Sequence, residues 1–242
     1  MTKISDFIKP QLESLKITLT EKQLNQLDAL AEAMLADPLY KSVSKIFEPE
    51  EMAVKHFLDS LIPLCYNHPV WKSKKIMDLG TGGGFPCLPL AIALPDAQFT
   101  AVDGRQKSVD FVARMAKAVG LSNVSTIHSR IEDLGHEADH REKYDLVVCR
   151  ALSAVRVLAE YTLPLTKNNG WSFYYKGPKL DEEIAEASNA FKVLEVIPEN
   201  VEIYRLLPPE VPFERNFIAI HKTKVVPAKY PRKAGTPLSK PL

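Results

Sequence analysis

Glycine stands at positions 80, 82, 83 and 84, directly after the short run Ile76-Met77-Asp78-Leu79. Glycine lacks a Cβ, so the backbone can turn sharply there and a ligand can approach it closely. The next apolar stretch, Leu88-Pro89-Leu90-Ala91-Ile92-Ala93-Leu94, reads as a helix with proline in its first turn. Strand, glycine loop and helix N-terminus in that order describe a nucleotide-type site at the carboxyl edge of a parallel sheet.

Spacing narrows the nucleotide. A dinucleotide fingerprint wants G-x-G-x-x-G. Counted from Gly80 the sixth position is Phe85, and counted from Gly82 it is Cys87, so both registers fail. The acid ahead of the loop, Asp78, suits a site for S-adenosylmethionine instead. A second run, Phe99-Thr100-Ala101-Val102, ends in Asp103, whose carboxylate can accept from both hydroxyls of a ribose. A third, Val124-Ser125-Thr126-Ile127-His128, leads to Ile131-Glu132-Asp133, an apolar side chain and acids suited to an adenine ring. A tight strand–helix turn would account for the glycines, but not for acids at successive strand ends.

From Lys75 onward strands and helices alternate. Strands are expected at 75–79, 99–103, 124–128, 144–149, 171–176, 193–197 and 217–222, and helices at 88–94, 105–119, 153–166 and 180–191. That pattern predicts an α/β fold, a doubly wound, seven-stranded, mostly parallel sheet of Rossmann-like type with right-handed crossovers. The run 201–212 is Pro-rich, so the last strand is expected to return by a hairpin. Residues 1–70 read as a helical extension. Thr20-Glu21-Lys22-Gln23 is a capping box, Asp37-Pro38 a stop, and a further helix starts at Pro49, while 40–47 reads as a polar, basic loop. The expected organisation is therefore 1–70 helical extension, 71–224 α/β domain and 225–242 basic tail.

The tail is rich in Pro and Lys and is expected to be extended or mobile. No acid follows Glu214, whereas Arg215, Lys222, Lys224, Lys229, Arg232, Lys233 and Lys240 are all basic. That distribution suits either a solvated end or an edge that contacts phosphates by releasing counterions. The whole chain, at net charge +1 over 242 residues, does not announce nucleic acid. No apolar stretch approaches the roughly 20 residues of a bilayer span, and the charged N-terminus argues against a signal peptide. Three scattered cysteines, Cys65, Cys87 and Cys149, fit a reducing cytoplasm and no disulfide framework. The six histidines show no H-x-x-H spacing, and no metal is expected.

Three cations fall at strand ends, Arg130, Arg150 and Lys176. An arginine there can clamp a carboxylate or phosphate with its fork of donors. Cys149 is expected to be a buried strand thiol and not a nucleophile.

Four stretches then carry a resemblance: Glu51 to Ser60, Met77 to Pro86, Ser129-Arg130-Ile131-Glu132-Asp133, and Cys149-Arg150-Ala151 with Lys176-Gly177. With the closing Tyr230-Pro231-Arg232-Lys233-Ala234-Gly235-Thr236-Pro237, they resemble the bacterial 16S ribosomal RNA guanine-N7 methyltransferase G family. The resemblance implies that 71–224 is an S-adenosylmethionine-dependent methyltransferase domain of the Rossmann-like type, with S-adenosyl-L-methionine as cofactor, and that it methylates one guanine, conventionally numbered 527, in the small ribosomal subunit. It places cofactor contacts on Gly80, Gly82, Phe85, Asp103, Gly104, Arg105, Ile131, Glu132 and Arg150, with the methionine end at the loop, the ribose at Asp103 and the adenine at Ile131-Glu132. Arg130, Arg150, Lys176, Arg232 and Lys233 are the expected RNA contacts, and a cytoplasmic monomer is the expected form. Cys87, Cys149 and Lys41-Ser42 depart from the family's usual Gly, Ser and Asn-Leu-Thr.

No catalytic base is expected, since guanine N7 already carries a lone pair; Arg150 is expected to position. Competing readings are a methyltransferase for another RNA base, a protein or a small molecule, an NAD-dependent reductase, and a non-catalytic assembly factor that keeps the fold.

Overall fold

The structure is a computed structural model that describes residues 3–207 and 211–242. Residues 1–2, at the head of the charged N-terminus, and 208–210, within the run 201–212 expected to carry the hairpin return, lie outside the described residues.

The N-terminal third is helical. It contains α1 (Ile4–Ser14), α2 (Glu21–Ala36), the single turn α3 (Tyr40–Val43), α4 (Pro49–Met52) and α5 (Asp59–Leu61). The capping box at Thr20 is present on both arms, with Gln23 answering the Thr20 backbone. Asp37 ends α2 in extended backbone, as a residue before proline must. The segment expected as a polar loop at 40–47 is partly helical, because Tyr40 is buried and its hydroxyl donates to Ile46 O at 2.7 Å. The helix expected from Pro49 is interrupted, with a π-helical turn over Ala53–Leu58 between α4 and α5.

Strands and helices then alternate: β1 (Lys75–Leu79), α6 (Cys87–Ala93), β2 (Gln98–Asp103), α7 (Gln106–Ala118), β3 (Val124–His128), α8 (Ile131–Leu134), β4 (Tyr144–Arg150), α9 (Val155–Thr162), β5 (Thr166–Lys176), α10 (Leu180–Glu186), α11 (Ser188–Val193), β6 (Val201–Leu206), β7 (Arg215–His221) and α12 (Thr236–Ser239). The seven strands run in the order β3-β2-β1-β4-β5-β7-β6. The β2–β3, β1–β4 and β4–β5 pairs are parallel, and β7 is antiparallel to both β5 and β6. This is the doubly wound, mostly parallel sheet that the alternation predicts.

One strand is misplaced by the sequence reading. Residues 193–197 form no strand, because Ala187, Ala190 and Leu194 are buried at helical spacing. The strand lies instead at Val201–Leu206, on the sheet's edge, where Glu202 and Arg205 interrupt the apolar pattern. Charges on an edge strand discourage pairing with another chain.

Two compact units make up the chain, one from Met1–Lys74 and Thr81–His128, the other from Lys75–Gly80 and Ser129–Leu242. In the first, Asp28 accepts from Ser5 N and Ser5 Oγ at 2.8 Å each, joining α1 to α2. Asn123 donates to Ala91 O and Ala97 O, tying the entry of β3 to the end of α6. In the second, the Lys222 ammonium is 3% exposed and donates to Leu163 O, Thr166 O and Glu142. Burial pushes its pKa down, and the Glu142 carboxylate opposes the shift. Lys222 therefore belongs to the interior and not to a basic edge.

The tail differs most from expectation. Val226, Tyr230, Pro231 and Pro237 are buried and α12 packs against α9. Its Pro and Lys content reads as mobility in sequence, yet buried aromatic and proline rings hold it down. Among the described residues no helix is long and apolar enough to cross a membrane.

Candidate cofactor site

In the first unit the glycine loop is bent by backbone geometry and pinned to β2. Gly82 and Gly84 have φ of 54° and 88°. A Cβ on Gly84 would stand 2.5 Å from Leu88 Cδ1, so no larger residue fits without a shift. Thr81 N donates to Val102 O at 3.0 Å, and Gly84 N to Thr81 O at 2.8 Å. These bonds bring the loop to Asp103, the last residue of β2 and 7% exposed. Asp103 Oδ2 accepts from Gly82 N at 2.9 Å and Oδ1 from Arg105 N at 2.8 Å, with Arg105 Nε 3.5 Å away. Two amides fix the carboxylate while leaving lone pairs for a diol, since an ionised carboxylate has about four acceptor positions. Gly104 O pairs with His128 Nε2 at 3.1 Å.

Three residues here escape sequence reasoning. Thr81 Oγ1 is buried in the loop without a protein hydrogen-bond partner. A buried hydroxyl left unpaired is costly, so a polar ligand atom is its natural complement. His56 stacks on Phe85, with ring centroids 4.4 Å apart and planes 19° apart, and Phe57 meets Phe85 edge-on at 5.5 Å. The π-helical turn carries both rings, and such turns cluster at functional sites. Propensity does not reveal a π turn; the signal available was the Glu51–Ser60 stretch itself.

In the second unit Gly80 has φ 71°, and a Cβ there would lie 2.7 Å from Leu152 Cδ1. Asp78 is fully buried. Cys149 is also fully buried, and burial, reinforced by the Asp78 charge, pushes its thiol well up. A thiol held neutral is a poor nucleophile, which agrees with the core role expected of it. Arg150 ends β4 half-buried, and the next residue, Ala151, turns at φ 52°.

Ile131 and Glu132 open α8, 9% and 3% exposed. Glu132 Oε1 accepts from Gly235 N at 2.8 Å and from Tyr161 Oη at 3.3 Å, and Arg130 Nε stands 3.8 Å from Oε2. Burial and the Glu132 charge push the Tyr161 phenol up, so it remains a donor. Arg130 is exposed, as is Lys233. Lys176 and Arg232 sit differently. Lys176 Nζ is 2.6 Å from Glu183 Oε2 and donates to Ser153 O at 2.9 Å, with its side chain 9% exposed. Arg232 forks the carboxylate of Glu160, which is fully buried, with Nη2–Oε2 at 2.7 Å and Nε–Oε1 at 2.9 Å. Both cations thus have partners inside the protein. Among the described residues no cluster of three His, Cys, Asp or Glu could hold a metal ion.

The donor set fits an adenosyl compound on the first unit's own groups: glycine amides, an orphaned hydroxyl and a preorganised acid. Residues 23–207 match the family described as rRNA small subunit methyltransferase G. The chain belongs to that family. Methyltransferase G of Desulforamulus reducens is 38% identical over the whole length of both chains, and that of Lactobacillus johnsonii is 40% identical over 93% of each. Among solved structures, the O-methyltransferase TomG of Streptomyces achromogenes, in complex with SAM, aligns over 92% of this chain and all of its own, with TM-score 0.53 and 14% identity. The S-adenosylmethionine-dependent methyltransferase SibL in its apo form aligns over 90% and 76%, with TM-score 0.55 and 13% identity. At that identity the two structures show that this chain shares their fold, and no more.

Proposed function

We propose that this chain moves the methyl group of S-adenosyl-L-methionine to N7 of a guanine, the one conventionally numbered 527, in 16S ribosomal RNA. It acts in the cytoplasm as a monomer and without a resident metal. The family match over residues 23–207 carries this reading. The cofactor supplies an electrophilic methyl on a sulfonium.

The chain's own residues then have to bind and orient. Gly80, Gly82 and Phe85 shape the pocket for the methionine end. Asp103, with Gly104 and Arg105, receives the ribose, because its carboxylate is already fixed by the amides of Gly82 and Arg105. Ile131 and Glu132 hold the adenine. Guanine N7 has a lone pair and loses no proton on attack, so no side chain need act as a base. The rate gain comes from holding donor and acceptor about 3 Å apart in line, the proximity effect. Arg150, at the end of β4, positions the reacting groups.

The guanine must be presented unpaired, because an RNA helix hides base edges in a narrow major groove. Exposed Arg130 and Lys233 are the better candidates for gripping RNA phosphates, since Lys176 and Arg232 are engaged internally.

Incubation with labelled cofactor and small-subunit RNA, followed by location of the modified base, tests the proposal. Label on guanine N7, with activity that declines steeply as salt rises, is the expected result. Label on another base, or on protein alone, overturns it.

A further inference from the structure

The C-terminal segment is laced onto the short turn that carries Ile131 and Glu132. Gly235 N donates to Glu132 Oε1 at 2.8 Å. Pro231 packs so closely on Gly135, at the end of α8, that a Cβ there would stand 2.6 Å from its ring. His136 Nε2 donates to Pro231 O at 2.7 Å. Arg141 spans both segments: Nη1 donates to Gly135 O at 2.8 Å and to Tyr230 O at 2.7 Å, and Nη2 to Val226 O at 3.2 Å. Arg232 anchors the same stretch to buried Glu160 through its side chain and, at 2.7 Å, its backbone N–H.

These contacts tie the segment to α8 and, through Arg232, to α9. A helix of four residues, Ile131–Leu134, cannot hold its own geometry, since a single turn fixes more dihedrals than its hydrogen bonds repay. Its order comes from what it is attached to, and much of that attachment is the segment 226–235. The Glu132 carboxylate is aimed by a backbone amide 103 residues further along the chain.

We propose that residues 226–235 form a strap that presets Ile131 and Glu132 for the adenine end of the cofactor, with Arg141 as its positioning residue. The proposal rests on the reading of Ile131-Glu132 as the adenine subsite. A turn already ordered loses less entropy when ligand binds, so the strap raises affinity without touching the ligand. Coupling of this kind is reciprocal: ligand must tighten the strap by as much as the strap tightens ligand.

Calorimetry with S-adenosylhomocysteine and no RNA tests both layers. The unmodified protein should bind, and Asp103→Ala should bind more weakly. Arg141→Ala, which strips several hydrogen bonds from a charged donor, should raise Kd about tenfold. Arg141→Lys should recover part of that loss. In turnover, the KM for S-adenosylmethionine should rise with kcat at saturation within about twofold, a split that general loosening of the fold would not give. No binding by the unmodified protein overturns the cofactor reading and the strap with it. Binding weakened by Asp103→Ala but unchanged in Arg141→Ala overturns the strap alone. Should Arg141→Ala not fold, hydrogen exchange on the unmodified protein decides. Slower exchange across 226–235 on adding S-adenosylhomocysteine supports the strap, and unchanged exchange there overturns it.

Discussion

Asp103 and Glu132 are both buried carboxylates that accept backbone N–H bonds, but they recruit their donors from very different distances. Asp103 is held by Arg105, two residues on, and by Gly82, 21 residues back. Glu132 is held by Gly235 and Tyr161, 103 and 29 residues away. The first carboxylate is shaped by a loop whose glycines announce it; the second by a segment whose composition says nothing of its role. The half of this comparison coded locally can be found by inspection. A half coded through remote contacts is found when the chain is folded.

The largest effect should come from the remote half. Arg232→Ala leaves the Glu160 carboxylate, which is 0% exposed, without its fork. Breaking a buried pair in this way costs about 3–5 kcal/mol, read as a lower urea midpoint at unchanged slope. A loss under about 1 kcal/mol would mean that water reaches Glu160 and that the anchor is weaker than its geometry.

The local half should respond in binding before stability. In the proposed site, Asp103→Asn surrenders a charged acceptor for the ribose and one of the two amides that fix it. Affinity for S-adenosylhomocysteine should fall by about 1.5–3 kcal/mol, or roughly ten- to a hundredfold. Equal affinity in calorimetry would remove Asp103 from the site. Gly84→Ala places a Cβ at φ 88° and against Leu88, at a cost of about 1–2 kcal/mol in thermal unfolding. An unchanged melt would show that loop and α6 relax together.

An exposed pair supplies the reference for both halves. Arg114 forks Asp37 at 2.8 and 2.9 Å on the surface of the first unit, and that hydrogen bond holds the Asp37 carboxyl below its ordinary value of 3.8. A lowered carboxyl stabilises the fold above its unfolded pKa and loses that contribution as pH falls through the folded one. Arg114→Ala should therefore cost about 1 kcal/mol or less near neutrality, and the difference from the unmodified protein should vanish in acid below the lowered pKa. A difference that persists there would be packing and not charge.

Much of the fold is legible because its signals are short-range. Apolar runs ending in acids mark β1 and β2, and the Thr20 capping box marks the start of α2. What is hidden is hidden for physical reasons. β6 is an edge strand whose charges mask its alternation, and the apolar run ahead of it, 193–197, is the last residue of α11 and the turn that follows. The tail looks mobile because proline and lysine are counted without the rings of Tyr230 and Pro231 that bury themselves. Lys176 and Arg232 look like solvent-facing cations because their partners arrive by folding: α10 carries Glu183 back to Lys176, and Glu160 lies 72 residues from Arg232.

The π-helical turn over Ala53–Leu58 has a consequence for how this stretch can change over time. A wide turn accommodates one residue more than a regular helix, and each residue advances a regular helix by about 100°. Deleting one position inside the turn would regularise it and swing His56 and Phe57 out of register with Phe85. A substitution there leaves that register in place, whereas a change of length shifts it, so the spacing from Pro49 to Asp59 sets where the two rings stand.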